Sequence, residues 1–322
     1  MPCEVKFEVR EIWEARRRIA PFMNHTPLVH SLALSRLLGA PIYLKMECWQ
    51  VCGCFKVRGA VNMVAALSDE ERRKGLATTS SGNHGIALAY AADQFGRPAV
   101  HVFLPTGSDP AKVRKLQELG ARAVFCGSTY AEAYEGAQAF LAESGAVYVH
   151  SHAHPWIIAG QGTIGLEILE DLPEAGLIVV PIGGGGLVSG VASAVKTNAP
   201  RVRIVGVEPT AAPGAYLSLR DGVAYERIET QPSIADGLLG GFGRLPFEIS
   251  RHLIEQVALV SDDEIRPALK LLLEEEQLVV EAASAVGLAA ILAGKIDLGG
   301  QKTVLILTSR NVDATKYKSL IQ

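Results

Sequence analysis

No stretch of this sequence approaches the roughly 20 consecutive apolar residues that a membrane-spanning helix needs, so a membrane partner is not expected. Basic residues are not in excess either. The 31 Lys and Arg against 34 Asp and Glu leave a net charge of −3, without the electrostatic footprint of a nucleic-acid binder. The first residues, MPCEVKFEVREIWEARRR, mix acids and bases and lack the apolar core of a signal peptide, so the expected setting is the cytoplasm. Cysteine is scarce and odd in number, five in 322 residues, which argues against a disulfide scaffold. Three of the five, Cys48, Cys52 and Cys54, crowd into ECWQVCGC. A fourth ligand at familiar zinc spacing is missing, and buried free thiols are the simpler reading. Repeats, low-complexity tracts and an evident linker are absent too, so a second domain is expected to be inserted rather than appended.

What the sequence does have is apolar material, 48% of residues, and glycine, 32 residues. Short β-branched runs alternate with helix-like segments. The strand candidates are PIYLKM (41–46), LATTS (76–80), AVHVFLP (99–105), ARAVFC (121–126), AVYVHS (146–151), LIVVP (177–181), RIVGVE (203–208) and TVLILT (303–308). Most are continuously apolar, as strands covered on both faces must be. Helical patterns fall between them, such as GIALAYAADQFG (85–96) and DPAKVRKLQELG (109–120). In the second, Asp109 suits the cap, Pro110 the first turn and Gly120 the stop. The fold class expected is α/β with parallel sheets.

Ligands in such sheets bind beyond the carboxyl ends of strands, so the residues that follow each strand matter most. After LIVVP comes a run of four glycines, Gly183 to Gly186, then Leu187 and a helix. Converging backbone N–H groups and the positive end of a helix there suit a phosphate. A dinucleotide is an alternative owner. Gly184, Gly186 and Ser189 approximate G-x-G-x-x-G, and Glu208 ends the next strand where a ribose-binding acid would sit. After LATTS, the polar loop Ser80, Ser81, Gly82, Asn83 and His84 opens a helix and suits a small anion such as a carboxylate. After TVLILT come Thr308, Ser309 and Asn311. In HSHAHP (150–155), period-two spacing along a continued strand would put His150, His152 and His154 on one face, which admits a metal reading beside a substrate-pocket role for His152.

One lysine remains to be explained. In GCFKVRGA (53–60), Lys56 stands beside a cysteine and a phenylalanine with glycines on both flanks. Together with the three loops, this stretch resembles the lysine motif S-F-K-x-R-G-A of fold-type II pyridoxal-phosphate enzymes. SSGNHG resembles their substrate-carboxylate loop, GGGGL their phosphate loop and LTSRN the usual L-S-G-G-N. KMECWQ, IAGQGTIGLEI (158–168), SIADGL (233–238) and VEAASA (280–285) extend the match in family order along the chain from about Thr26. Within the family, F-K-x-R-G-A with S-G-N-H-G is similar to the threonine/serine dehydratase and serine racemase branch.

The resemblance implies a tryptophan synthase β-subunit-like fold: two open, parallel-rich sheets with helices on both faces. A small domain, 52–149, would be inserted in a large one made of 1–51 and 150–322. It implies pyridoxal 5'-phosphate as cofactor, carried by Lys56 as a Schiff base, with Lys56 freed by substrate to remove the Cα proton. Phe55 would pack beside the ring, and Asn83 would contact its 3-hydroxyl. Gly183, Gly184, Gly185, Gly186 and Leu187 would hold the phosphate, Thr308 would face the pyridine nitrogen, and Glu281 in VEAASA would complete the cofactor site. Substrate would meet Ser80, Ser81, Gly82, Asn83, His84, His152, and Asp236 and Gly237 of SIADGL. Ser81 stands where similar racemases place an acid/base opposite the lysine.

The activity so implied is an ammonia-lyase that converts a 3-hydroxy amino acid (threonine, serine, 3-hydroxyaspartate or phenylserine) to a 2-oxo acid and ammonia, in an enzyme whose relatives are usually homodimers. Racemisation is the alternative, and below it stand a non-catalytic cofactor-binding protein and the NAD-type reading. Three departures from the family pattern carry expectations of their own. Cys54 replaces the motif's serine, so thiol reagents are expected to slow the enzyme. Ile86 stands where glutamine is common. Gly214 stands in VEPTAAPGAY where a second carboxylate for a divalent cation belongs, so no metal is expected.

Overall fold

The structure is a computed structural model that describes residues 7–80 and 82–322. Among the described residues, ten strands divide between two sheets: β1 Leu28–Ser31, β2 Ile42–Lys45, β3 Leu76–Thr79, β4 Val100–Leu104, β5 Arg122–Phe125, β6 Val147–Tyr148, β7 Leu177–Pro181, β8 Arg203–Pro209, β9 Gln256–Val260 and β10 Thr303–Ile306. Six form a sheet in the order β1-β2-β10-β7-β8-β9, parallel except for the edge pair β1–β2. The other four form a wholly parallel sheet, β5-β4-β3-β6, from a continuous stretch of chain.

Alternation along the central strands explains the continuous apolar runs. Leu177 and Val179 of β7 join one core with the helices Asp262–Glu276 and Ala282–Leu292. Ile178 and Val180 point the other way, into a second core with the helix Gly186–Asn198. A strand covered on both faces cannot afford a polar position on either. The smaller sheet repeats the scheme. Leu76, Val100 and Val102 pack under the helices Lys56–Ala66 and Asn83–Gln94, and Ala77 and Phe103 pack under Tyr130–Ser144.

Local signals place the helix ends. Asp109 accepts from the Ala111 amide at 2.8 Å, Pro110 opens the helix Pro110–Glu118, and Gly120 stops it at φ +83°. Ser68, Thr129 and Ser261 each form a reciprocal capping box with a glutamate three residues on. One strand expectation needs correction. β6 ends at Tyr148, so His150, His152 and His154 lie in a loop and share no strand face.

Candidate active site

Segments that follow five strands contribute to the site: those after β2, β3, β6, β7 and β10. The segment after β2 is zipped to the segment after β10, because Phe55 N–H donates to Thr308 O at 3.0 Å and Arg310 N–H to Gly53 O at 2.9 Å. This delivers Lys56 to the first position of its helix, with Nζ 5.1 Å from the Phe55 ring centroid. Nζ donates to the carbonyl of Ser151 at 3.1 Å, which ties it to the loop after β6. Loss of water around the amine lowers its pKa to about 8.

Three histidines surround that amine, all held neutral near pH 7. Burial and the nearby Lys56 charge bring His84 down to about 3. Burial, then His154 and Lys56, bring His150 to about 4, and His152 is held well below its ordinary value by burial, His150 and Lys56. His84 Nε2 donates to Val149 O at 3.1 Å, and its Nδ1 has no partner among the described residues. His154 accepts from the Trp156 amide and caps the helix Pro155–Asp171. The ring of His152 lies over the glycine loop: a Cβ on Gly184 would come within 2.4 Å of it.

The glycine loop follows β7, and Gly185 at φ +92° turns the chain into its helix. A Cβ on Gly185 would meet the Phe242 ring at 2.2 Å. Among the described residues, the amides of Gly183 to Leu187 donate to no backbone carbonyl. On the opposite side, Asn83 Nδ2 donates to Glu281 Oε1 at 2.8 Å, and Asn83 Oδ1 accepts from Asn311 Nδ2 at 2.7 Å. Thr308 Oγ1 lies 2.9 Å from Ser284 Oγ, which also bonds the backbone of Ser309.

The family of pyridoxal-phosphate dependent enzymes matches residues 19–309. The chain belongs to that family. An L-threonine ammonia-lyase of Thermotoga maritima is 42% identical over 97% of this chain and 78% of its own length. A serine racemase of Oryza sativa subsp. indica is 37% identical over 95% of this chain and 91% of its own. The structure of maize serine racemase superposes with a TM-score of 0.91 at 36% identity, covering 98% of this chain and 97% of that one. The two-sheet α/β fold is that of the fold-type II members, and the cofactor is pyridoxal 5'-phosphate.

The residues present fit that cofactor. Five successive amides with no backbone acceptor, at the start of a 13-residue helix, form a cradle for a phosphate. Lys56, its amine lowered to about 8, Asn83 with one amide N–H left over among the described residues, and the Thr308 hydroxyl add the polar groups that the rest of the cofactor calls for. The dinucleotide reading is overturned. The Ser189 hydroxyl donates to Pro246 O at 3.0 Å, and Glu208 is buried, accepting from the amides of Ala215 and Tyr216 at 2.8 and 2.9 Å. The same bonds leave a divalent cation poorly served at Glu208. Gly214 adds no carboxylate, and its α-carbon packs against the backbone of Gly240 to Phe242.

Other predicted residues have more specific placements. The Ser80 oxygen accepts from the amides of Gly82 and Gly85, both at 3.2 Å, so it stitches the loop together. Ser81 lies outside the described residues. Asp236 is 40% exposed on its side chain and pairs with Lys316 at 2.7 Å, while Gly237 lies beside Gly183. Cys54 is fully buried, and burial pushes its thiol well up, as it pushes Cys48 and Cys52 up to about 12. The expectation that thiol reagents act through Cys54 is therefore withdrawn: a thiol this shielded yields little thiolate.

Four contributors escaped the sequence reading: Ser151, Ser284, Lys112 and the buried Arg58. Lys112 Nζ donates to Glu281 Oε2 at 3.2 Å. The Arg58 guanidinium is clamped between Glu47 and Glu167, and it anchors the helix that begins at Lys56. Arg58 belongs to the quoted lysine motif, which is the one signal that could have marked it.

Proposed function

We propose that the protein is a pyridoxal-phosphate-dependent ammonia-lyase that deaminates 3-hydroxy amino acids of the threonine/serine type. The observation that carries this reading is the Lys56 amine, lowered to about 8 and bonded to Ser151 O, next to His152, whose ring lies over the glycine loop where the amides of Gly183–Leu187 have no backbone acceptor among the described residues. The cofactor, when bound, supplies the sink for the electrons left behind when a Cα proton departs.

The chain's own residues do the rest. Lys56, neutral for a large fraction of the time near pH 8, accepts the Cα proton at Nζ, and the Ser151 carbonyl steers it by hydrogen bonding. The backbone amides of Asn83 and His84, at a helix start, hold the substrate carboxylate, while Ser80 keeps their loop in shape. Neutral His84 and His152 line the pocket without adding a positive charge that would compete for that carboxylate. Glu281, Asn83 and Thr308 would hold and orient the cofactor ring, and Phe55 would pack beside it. Asp236 and Gly237 stand at the pocket's outer rim.

Racemisation is the second reading, supported by the serine racemases among the relatives. It needs an acid on the face opposite Lys56, and Ser81 is the residue assigned to it. We further infer that residues 52–149 form a small inserted domain, because β3 to β6 all fall within them. A second copy of this chain is the expected partner and the cytoplasm the expected setting. Among the described residues, no helix is long and apolar enough to cross a membrane.

The test is the visible spectrum of the purified protein before and after L-threonine, L-serine and threo-3-hydroxyaspartate, with 2-oxo acid and D-serine assayed together. A yellow band that changes as oxo acid accumulates is expected, and Lys56→Ala should abolish both band and turnover. A wild-type protein that pyridoxal phosphate cannot turn yellow would sink the assignment. D-serine outpacing oxo acid would give the second reading first place.

A further inference from the structure

The buried Lys112 has no part in the chemistry just described, yet it reaches into the site from the smaller sheet. It sits on the helix Pro110–Glu118 with its side chain 9% exposed. Its arm crosses directly over Gly82, where a Cβ would fall 2.8 Å from Lys112 Cδ, so the glycine leaves the passage open. Nζ ends 3.2 Å from Glu281 Oε2 and 3.9 Å from Asp236, both carried by the larger sheet's part of the chain. Burial works against the ammonium, but Glu281 and Asp236 outweigh it and hold Lys112 above its ordinary pKa.

The consequence runs through one carboxylate to one amide. With Oε2 held by Lys112, Glu281 Oε1 accepts from Asn83 Nδ2 at 2.8 Å and from the Asn311 amide at 3.0 Å. A carboxylate facing Asn83 fixes which end of that amide is nitrogen. The other end agrees. Asn83 Oδ1 accepts from Asn311 Nδ2, and the Asn311 orientation is set in turn by Lys115 Nζ on its Oδ1 at 3.0 Å and Cys52 O on its Nδ2 at 2.9 Å. Asn83 Nδ2 therefore keeps one N–H that no described residue uses.

We propose that Lys112 is a positioning residue for the cofactor: acting through Glu281, it locks the Asn83 amide so that its remaining N–H is presented to the ring. The proposal rests on the assignment of Asn83 to the cofactor made above, and adds the device that orients it. Because Lys112 and Asn83 come from the smaller sheet's part of the chain and Glu281 and Asn311 from the larger's, the lock is complete only while the two parts are docked.

A double-mutant cycle tests this with cofactor affinity as the readout, from the visible band as pyridoxal phosphate is titrated into cofactor-free protein. Asn83→Ala should weaken uptake about tenfold, roughly the loss of one net hydrogen bond to a charged partner. Lys112→Met should weaken it by a similar factor, and Lys112→Arg should restore most of the loss. If Lys112 acts through Asn83, Lys112→Met should add little in the Asn83→Ala background. Additive losses would mean a general packing role and would overturn the proposal alone. Uptake unchanged by Lys112→Met, in a variant whose melting temperature shows it folded, would overturn it as well. Uptake unaffected by Asn83→Ala would remove the Asn83 assignment and the proposal with it, while a wild type that takes up no cofactor would remove the whole functional reading.

Discussion

At the scale of single residues, the controlling feature is how the protein makes one lysine nucleophilic without a neighbouring cation to repel its proton. Desolvation does it: Lys56 falls from the ordinary 10.5 to about 8, with only a carbonyl to bond. This fixes a pH dependence for cofactor capture. Below the pKa the neutral fraction grows tenfold per pH unit, so capture by cofactor-free protein should quicken about tenfold per unit up to pH 8 and then level off. A lysine at its ordinary value would keep accelerating to above pH 10. Stopped-flow absorbance after mixing with pyridoxal phosphate separates the two. A rate still climbing steeply between pH 9 and 10 would show that the amine is not desolvated in solution. The three histidines should add no inflection near 6.5, since His84, His150 and His152 are all held below it.

At the scale of elements, what decides the site is where strands stop and what the next residues permit. The glycine loop is the clearest case. Gly185 has φ +92°, which costs an L-residue about 1–2 kcal/mol, and its missing Cβ is what lets the Phe242 ring and Pro246 pack against the loop from outside. Gly185→Ala should weaken cofactor binding by roughly 5- to 30-fold through displacement of the loop's amides, measured by the same absorbance titration. An unchanged dissociation constant would mean the loop adapts, and that the phosphate is not held there. Element-scale legibility follows from burial. The eight strands read from the sequence all form, and the run is most continuous in the central β7, which is covered on both faces, whereas the edge strand β5 keeps exposed positions at Arg122 and Phe125. The two that escaped, LVHS of β1 and QVALV of β9, are edge strands with exposed positions at His30 and Gln256; His30 interrupts the apolar run of β1, whereas β9 carries a short one, Val257 to Val260, that went unread. HSHAHP misled for the opposite reason: alternation suggested a strand, but His150 accepts from two backbone amides and curls the chain into a turn. Lys112 was illegible because its sequence context, DPAKVRKLQELG, is that of a solvated amphipathic helix. Only docking of the two sheets' helices and loops buries it.

At the scale of the whole molecule, the Lys56 helix has to be held against a framework that does not give way when ligands come and go. A buried ionic cluster serves this. Arg58 forms two bidentate pairs, with Glu47 at 2.8 and 2.8 Å and with Glu167 at 2.6 and 2.8 Å. Lys45 adds a third bond to Glu167 at 2.6 Å, and Thr26 a bond to Glu47 at 2.5 Å. The cluster thus joins the strand before the lysine, the helix after it and the helix Pro155–Asp171, each from a different part of the sequence. Removing one partner is worse than never having had the cluster, because the charges left behind remain buried. Among the described carboxylates, Glu167→Ala would leave Lys45 with Asp171 alone, 3.7 Å away, and Arg58 with Glu47 alone; the Thr26 and Thr163 oxygens that also accept from them carry no compensating charge. The expected loss is about 3 kcal/mol, a fall in melting temperature on the order of 5 °C for a chain of this size. Because the cluster touches no cofactor residue except through the backbone of the Lys56 helix, the loss should be nearly equal with and without pyridoxal phosphate. Calorimetry on both forms of the variant reads this directly. A deficit confined to the cofactor-loaded form would place Arg58 and Glu167 in the active site's own polar network, and the framework role would have to be given up.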